Sequence, residues 1–147
     1  MSKMSALIAA LLIGISASAS ASPALSVLQP YRGKPVYVDF WASWCVPCAQ
    51  SFPWLNEMKR RYGDEIQFVG VNVDEQRRDA DRFLQRHPAH FALLFDPAGA
   101  LASHFALEGM PSALILDADG QVLWRHSGFR TAETPTYEQA IQEAIAR

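Results

Sequence analysis

The chain has two cysteines in 147 residues, Cys45 and Cys48, set three positions apart in the stretch VDFWASWCVPCAQSFP from Val38 to Pro53. Such a pair can be a structural staple, part of a metal clip, or a dithiol that exchanges with other disulfides. A staple here closes four residues and constrains the unfolded chain by only about 2 kcal/mol, too little for a domain of this size to depend on. A metal clip needs further ligands at close spacing. There is no second cysteine pair, Pro88 breaks the helical geometry that His87 and His90 would need, and His104 and His126 stand alone. No histidine follows Cys48, so the covalent haem motif is missing. No metal or cofactor is expected beyond a redox-active Cys45–Cys48 disulfide. For exchange chemistry the setting is apt, because the pair leaves an apolar stretch and enters a helical one. Helix N-terminal N–H groups and the macrodipole favour an anion there. That lowers a thiol's pKa and makes it a nucleophile. Cys45 is thus the expected attacking sulfur, reachable from solvent, and Cys48, one turn inward, the expected resolving one.

The neighbours of the pair suggest roles of their own. Pro47 suits a first helical turn, where a missing N–H loses no partner. Trp44, Val46 and Pro47 are the candidate substrate-contacting residues on this side, with Trp44 as an exposed apolar shoulder or a shield for the sulfur. Trp41, Trp54 and Trp124 read as packing residues. Asp39 has two readings. If buried, its pKa rises and it can exchange protons with Cys48 directly or through a water; otherwise it is a strand-end carboxylate in solvent. A Gly-Met-Pro turn, Gly109 to Pro111, enters an apolar strand; the residues themselves leave its X-Pro bond trans by default.

These residues need elements to hold them. PVYVDFW, from Pro35 to Trp41, reads as a buried central strand, and Cys48 to Gly63 as a helix that Pro53 should kink. Ile66 to Asp74 is a second buried strand. Glu75 to His87 has helical spacing, with Ala80, Phe83 and Leu84 on one face, and Pro88 ends it. Phe91 to Gly99 reads as a short strand and turn, and Ala100 to Leu107 as a short helix. Ser112 to Gly128 is a hairpin turning at Asp119-Gly120. Thr134 to Arg147 reads as a capped helix with Tyr137, Ile141 and Ile145 inward. Pro23 to Gly33 is a short lead-in. Helices between the early strands imply parallel pairing and the late hairpin is antiparallel, so the class is α/β with a mixed sheet and helices on both faces.

Composition bounds the rest. Half the residues are hydrophobic and 19% are charged, the profile of one globular domain. The formal charge is −2, with no basic patch, which argues against a nucleic-acid partner. Lys3, the apolar run Ala6 to Ile15 and the small residues from Ser16 to Ser22 read as a signal peptide over residues 1–21, ahead of a domain over 22–147. The apolar run is shorter than a bilayer span, so an uncleaved anchor is the lesser alternative. Losing the segment removes Lys3 and no acid, taking the charge to about −3. Export would place the cysteines in an oxidising compartment.

Taken together, VDFWASWCVPC, FPWLNEM, VGVNVDE, LLFDPAGALASHFAL, GMPSALILDADGQVLWRHSG and the terminal helix resemble the thioredoxin superfamily, and within it the exported, periplasmic TlpA-type thiol:disulfide reductases. The resemblance runs from Gly33 to the C-terminus. It implies a thioredoxin fold with a four- or five-stranded central sheet. It implies attack by Cys45, resolution by Cys48, a cis Met110-Pro111 bond beside the sulfurs, and β-like pairing of the Met110 backbone with an extended substrate segment. It raises Asp39 to the place of thioredoxin's buried acid. Protein disulfides would be the substrates, an upstream thiol donor, with membrane proteins among the candidates, would reset the pair, and a monomer is the default. There are departures. Many TlpA-type chains carry an acid three residues after the second cysteine, where this chain has Ser51. Many carry an Asn at the position of Asp39, so the acid function is expected there instead. The lead-in is too short for their N-terminal β-hairpin. The competing readings are an oxidase or isomerase using the same sulfurs, and a non-catalytic binding or metal-carrier domain. No cationic residue lies between the cysteines to stabilise a strongly oxidising thiolate, which favours reduction.

Overall fold

The computed structural model describes residues 23–147; the expected signal segment lies outside them. After a 3-10 helix over Pro23–Tyr31 the order is β1 (Val36–Trp41), α1 (Val46–Tyr62), β2 (Gln67–Asn72), α2 (Arg77–Arg86), β3 (Ala92–Phe95), α3 (Ala100–His104), β4 (Ser112–Leu116), β5 (Val122–Ser127) and α4 (Thr134–Ile145). The five strands form one sheet in the order β3-β2-β1-β4-β5. β1 pairs parallel with β2, and β2 with β3, while β4 is antiparallel to both β1 and β5. The mixed sheet expected from the crossover helices and the Asp119-Gly120 turn is therefore present.

β1 is the centre of the sheet, and its side chains alternate between two cores. Val36, Val38 and Phe40 face one with Leu28, Leu101 and Phe105. Tyr37 and Trp41 face the other, with Phe52 and Leu55 of α1, Phe83 of α2 and Ile141 of α4. Asp39 falls between Tyr37 and Trp41, so strand alternation turns it toward this second core, the one that also contains both cysteines. β1 has a hydrogen-bonded neighbour on each side, which is why all six of its residues are buried.

Several boundaries differ from the sequence reading, each for a local reason. α1 begins at Val46 rather than Cys48 and continues through Pro53. α3 stops at His104 instead of running to Leu107, because Ala106 adopts a left-handed conformation (φ 52°) that an α-helix cannot contain. The lead-in, expected to hold one helical turn, forms nine residues of 3-10 helix. No side chain caps α4: the chain enters it through a 3-10 turn, Thr131–Glu133, and Thr134 Oγ donates to the Thr131 carbonyl. Tyr137 and Ile141 are buried as expected, whereas Ile145 is half-buried.

Gly70 lies in register with Asp39 on the neighbouring strand. A Cβ there would come within 2.8 Å of Phe91 Cε2, 3.1 Å of Leu93 Cδ2 and 3.2 Å of the Trp41 indole nitrogen. Gly70→Ala is expected to lower stability by about 1–3 kcal/mol through overpacking, read as a lower urea midpoint at unchanged m.

Candidate active site

The site is built where β1 hands over to α1. The β1 ladder extends one step past Trp41, as Val73 N–H donates to the Trp41 carbonyl (3.0 Å). The chain then turns through Ala42 to Cys45, closed by Cys45 N–H on the Ala42 carbonyl (3.2 Å). Cys45 is the N-cap of α1, with extended backbone (φ −95°, ψ 106°), and its sulfur accepts the Cys48 N–H at 3.2 Å. A sulfur in this position takes up one of the helix's unpaired N-terminal donors, and a thiolate there gains from the same donor and from the macrodipole.

Cys45 and Cys48 are joined as a disulfide, with sulfurs 2.10 Å apart and Cα atoms 5.3 Å apart. Cys48 is fully buried and Cys45 is 4% exposed. The expected open access to Cys45 does not hold in this oxidised state, because its sulfur is bonded to a buried partner and folded onto the first turn of α1. What stands open is the rim: Trp44 is 68% and Val46 72% exposed, while Pro47 in the first helical turn is half-buried.

Across the sulfurs' core runs the loop before β4. The Met110-Pro111 bond is cis. Met110 is half-buried and packs against the core cluster that holds Cys45 and Cys48, while Pro111 is buried. The loop is held by Ser112 Oγ on the Gly109 carbonyl (2.7 Å) and by Gly128 N–H on the Pro111 carbonyl (2.8 Å).

Asp39 is buried, and its Oδ2 has no hydrogen-bond partner. Burial holds its carboxyl well above the ordinary carboxylate range. The Tyr37 hydroxyl, on the same face of β1, is likewise pushed up, first by burial, then by the charge that Asp39 would carry and by Tyr137. The solvent-facing reading of Asp39 is thereby excluded. Ser51 is buried, its hydroxyl donating to the Cys48 carbonyl (3.0 Å); it satisfies the helix backbone and offers no acid. Trp54 and Trp124 pack around Tyr37 and Tyr137 as expected, and His126 is hydrogen-bonded to the Tyr137 hydroxyl. Among the described residues no group of three His, Cys, Asp or Glu side chains is arranged to hold a metal ion.

Sequence reasoning missed the residues that hold the turn from below. Asp74, just past β2, is buried, and its carboxylate accepts Ser43 N–H (2.9 Å), Ser43 Oγ–H (2.7 Å) and Asn72 Nδ2–H (2.7 Å). Its own N–H donates to Asn72 Oδ1 (3.0 Å). The only signal in the chain is two polar residues ending an apolar strand, in VNVD, from Val71 to Asp74.

A mixed five-stranded sheet with a Cys-x-x-Cys disulfide opening the first long helix, and a cis-proline loop whose Met110 packs against the same core, defines the thioredoxin-superfamily class. The Redoxin family profile matches residues 15–141, and the chain belongs to that family. A crystal structure named for the thiol:disulfide interchange protein DsbE of Chlorobium tepidum superposes with a TM-score of 0.78 at 44% identity, covering 80% of this chain and 84% of that one. The thiol-disulfide oxidoreductase ResA of Bacillus thuringiensis subsp. konkukian is 26% identical over 107 residues, 72% of this chain. The thiol:disulfide interchange protein DsbE of Vibrio cholerae is 28% identical over 121 residues, 78% of this chain. The chain spans 62% and 64% of the lengths of these two curated relatives. The thioredoxin fold and the TlpA-like resemblance are both upheld.

Proposed function

We propose that this protein is an exported thiol:disulfide oxidoreductase that reduces disulfides in protein substrates. The observation that carries the reading is the Cys45–Cys48 disulfide at the first turn of α1, with the Cys48 N–H on the Cys45 sulfur. In the reduced protein, the Cys45 thiolate attacks one sulfur of a substrate disulfide, forming a mixed disulfide and expelling the other sulfur as a thiolate. Cys48, deprotonated with Asp39 taking the proton directly or through a water, then attacks Cys45 Sγ. The second substrate thiol leaves and the Cys45–Cys48 disulfide remains, two electrons having passed to the substrate. Trp44, Val46, Pro47 and Met110 form the apolar rim that contacts the substrate. The loop at Pro111 presents the Met110 backbone to an extended segment.

Repeated turnover requires an upstream thiol donor to return the two electrons. Export rests on Lys3, the apolar run and the small residues after it, and a monomer in the periplasm is the working form. Among the described residues no helix is long and apolar enough to cross a membrane. Net reduction is favoured by Val46 and Pro47, which place no cation between the cysteines. The names of the relatives, oxidoreductase and interchange protein, agree with exchange chemistry in either direction.

Two measurements test this. Reduced Cys48→Ala, incubated with a disulfide-bonded protein, is expected to stall as a mixed disulfide through Cys45, detected as a covalent adduct by mass spectrometry; absence of any adduct refutes the exchange role. Equilibration of the wild type with glutathione is expected to give a potential near ~−270 mV, whereas a value near ~−120 mV would assign it to net oxidation.

A further inference from the structure

We propose that Asp74 is a positioning residue for the exchange reaction: through its hydrogen bonds, rather than its charge, it holds the Ser43–Cys45 turn so that the Cys45 sulfur meets the α1 N-terminus in the reduced state. The inference rests on the thiol:disulfide reading above.

In the oxidised protein the bond to Cys48 fixes the Cys45 sulfur covalently. Reduction removes that constraint. What then keeps the sulfur over the Cys48 N–H is the backbone of the turn, and that backbone has few ties. Ala42 accepts Cys45 N–H within the turn itself, which shapes the turn without anchoring it. The anchor is Asp74. One carboxylate oxygen takes Ser43 N–H, the other takes Ser43 Oγ–H, and Asn72 Nδ2–H on the first oxygen braces the carboxylate from β2. Asn72 is fully buried and in register with Trp41, so the brace stands on the middle of the sheet. Trp44 is 68% exposed and contributes little packing to hold the turn from outside. Ser43, two residues from the attacking sulfur, is thus tied across 31 residues of chain to the segment just past β2.

Releasing Ser43 lets the turn move once the disulfide opens. The Cys48 N–H then stabilises the Cys45 thiolate for a smaller fraction of the time. The thiol pKa rises and the reduced form loses stability relative to the disulfide, so the equilibrium shifts toward oxidised protein. Tyr37 and Asp39 are the titratable side chains that β1 turns toward the cysteines' core, and both are common to all the variants below.

The hydrogen-bond pattern separates geometry from charge. In Asp74→Asn, an amide oxygen in the place of Oδ2 still accepts Ser43 N–H and Asn72 Nδ2–H, and the amide nitrogen in the place of Oδ1 donates to Ser43 Oγ, whose hydroxyl can turn to accept. The ties persist and the charge is gone. Asp74→Ala removes every tie.

The experiment measures the pH profile of Cys45 alkylation by iodoacetamide in the reduced full chain, and the equilibrium constant with glutathione. Asp74→Ala is expected to raise the apparent thiol pKa and to cut alkylation at pH 7 about tenfold. It is also expected to shift the glutathione equilibrium about tenfold toward the disulfide, which is about 30 mV for two electrons. Asp74→Asn is expected to restore both to within about twofold of wild type. A folded Asp74→Ala protein with unchanged pKa and equilibrium overturns the proposal, as does an Asn variant that behaves like Ala, which would assign the effect to charge. Should Asp74→Ala fail to fold, Ser43→Ala removes the hydroxyl tie alone; an alkylation rate lowered about threefold supports the proposal and an unchanged one overturns it. Wild-type turnover of hydroxyethyl disulfide is the separate control: no exchange there defeats the functional reading itself, while wild-type exchange with an indifferent Asp74 defeats only this inference.

Discussion

Cys45→Ser is expected to abolish disulfide exchange, by more than about 10³-fold, in any assay that follows reduction of a protein disulfide. A serine hydroxyl at the same N-cap can still accept the Cys48 N–H, so the local backbone survives. It is not ionised near neutral pH and cannot enter a sulfur–sulfur exchange, so the nucleophile is lost while its scaffold stays. The ring it opens spans four residues, and its loss lowers stability by about 2 kcal/mol, which a circular-dichroism melt resolves from unfolding. A Cys45→Ser protein that melts cooperatively yet keeps its exchange activity would sink the proposed chemistry and favour a binding or carrier role. Cys48→Ala is predicted to differ in kind: it retains the attack and loses the release.

Asp39→Asn should raise stability at neutral pH and slow turnover. The carboxyl is buried, one oxygen lacks a partner, and burial has pushed its pKa far above the ordinary value of 3.8. A group whose folded pKa is raised contributes its full stability below the unfolded value and loses it as pH climbs toward the folded value. Across that window the native state binds the extra proton, and stability falls by up to about 1.4 kcal/mol per pH unit. Asparagine has no proton to lose, so the slope above pH ~4 flattens. The two proteins converge in acid, and at pH 7 the variant is the more stable. Chemical denaturation at a series of pH values checks this; parallel slopes for both proteins would contradict it. The same substitution removes the base proposed for Cys48, and on that proposal the resolving step is expected to slow about a hundredfold, the low end for general acid–base catalysis. Gain in one property and loss in the other, from one atom exchange, distinguishes a working acid from a packing residue.

The legible and the illegible parts of this chain divide by the range of the interactions. The Asp119-Gly120 turn, the aromatic strand before the cysteines and the Ala80–Phe83 face are local patterns, and each lies where periodicity predicts. Cys45 and Cys48 are legible because their spacing and the helix that follows are contiguous. Asp39 is undecided in sequence, since an Asp within six apolar residues can end a strand or sit inside one. The decision belongs to β2 and β4, which flank it from distant parts of the chain. The tie from Ser43 to Asp74 is invisible for the same reason. The shortened α3 is a local miss: nothing in ALASHFAL announces that Ala106 will turn left-handed. The burial of Cys45, in a disulfide whose partner is itself buried, is likewise a tertiary outcome that spacing alone does not reveal.

Strand order also governs how the chain must be made. β1 receives its parallel partner early, but its other edge waits for β4, where Val36 meets Leu116 and Phe40 meets Ser112. Until most of the polypeptide is available, the middle of the future sheet is an open, apolar edge carrying a free thiol close by. Such an edge is adhesive toward other chains. Closing that edge waits on residues 112–116, and a chain arrested before β4 would leave it open to other chains.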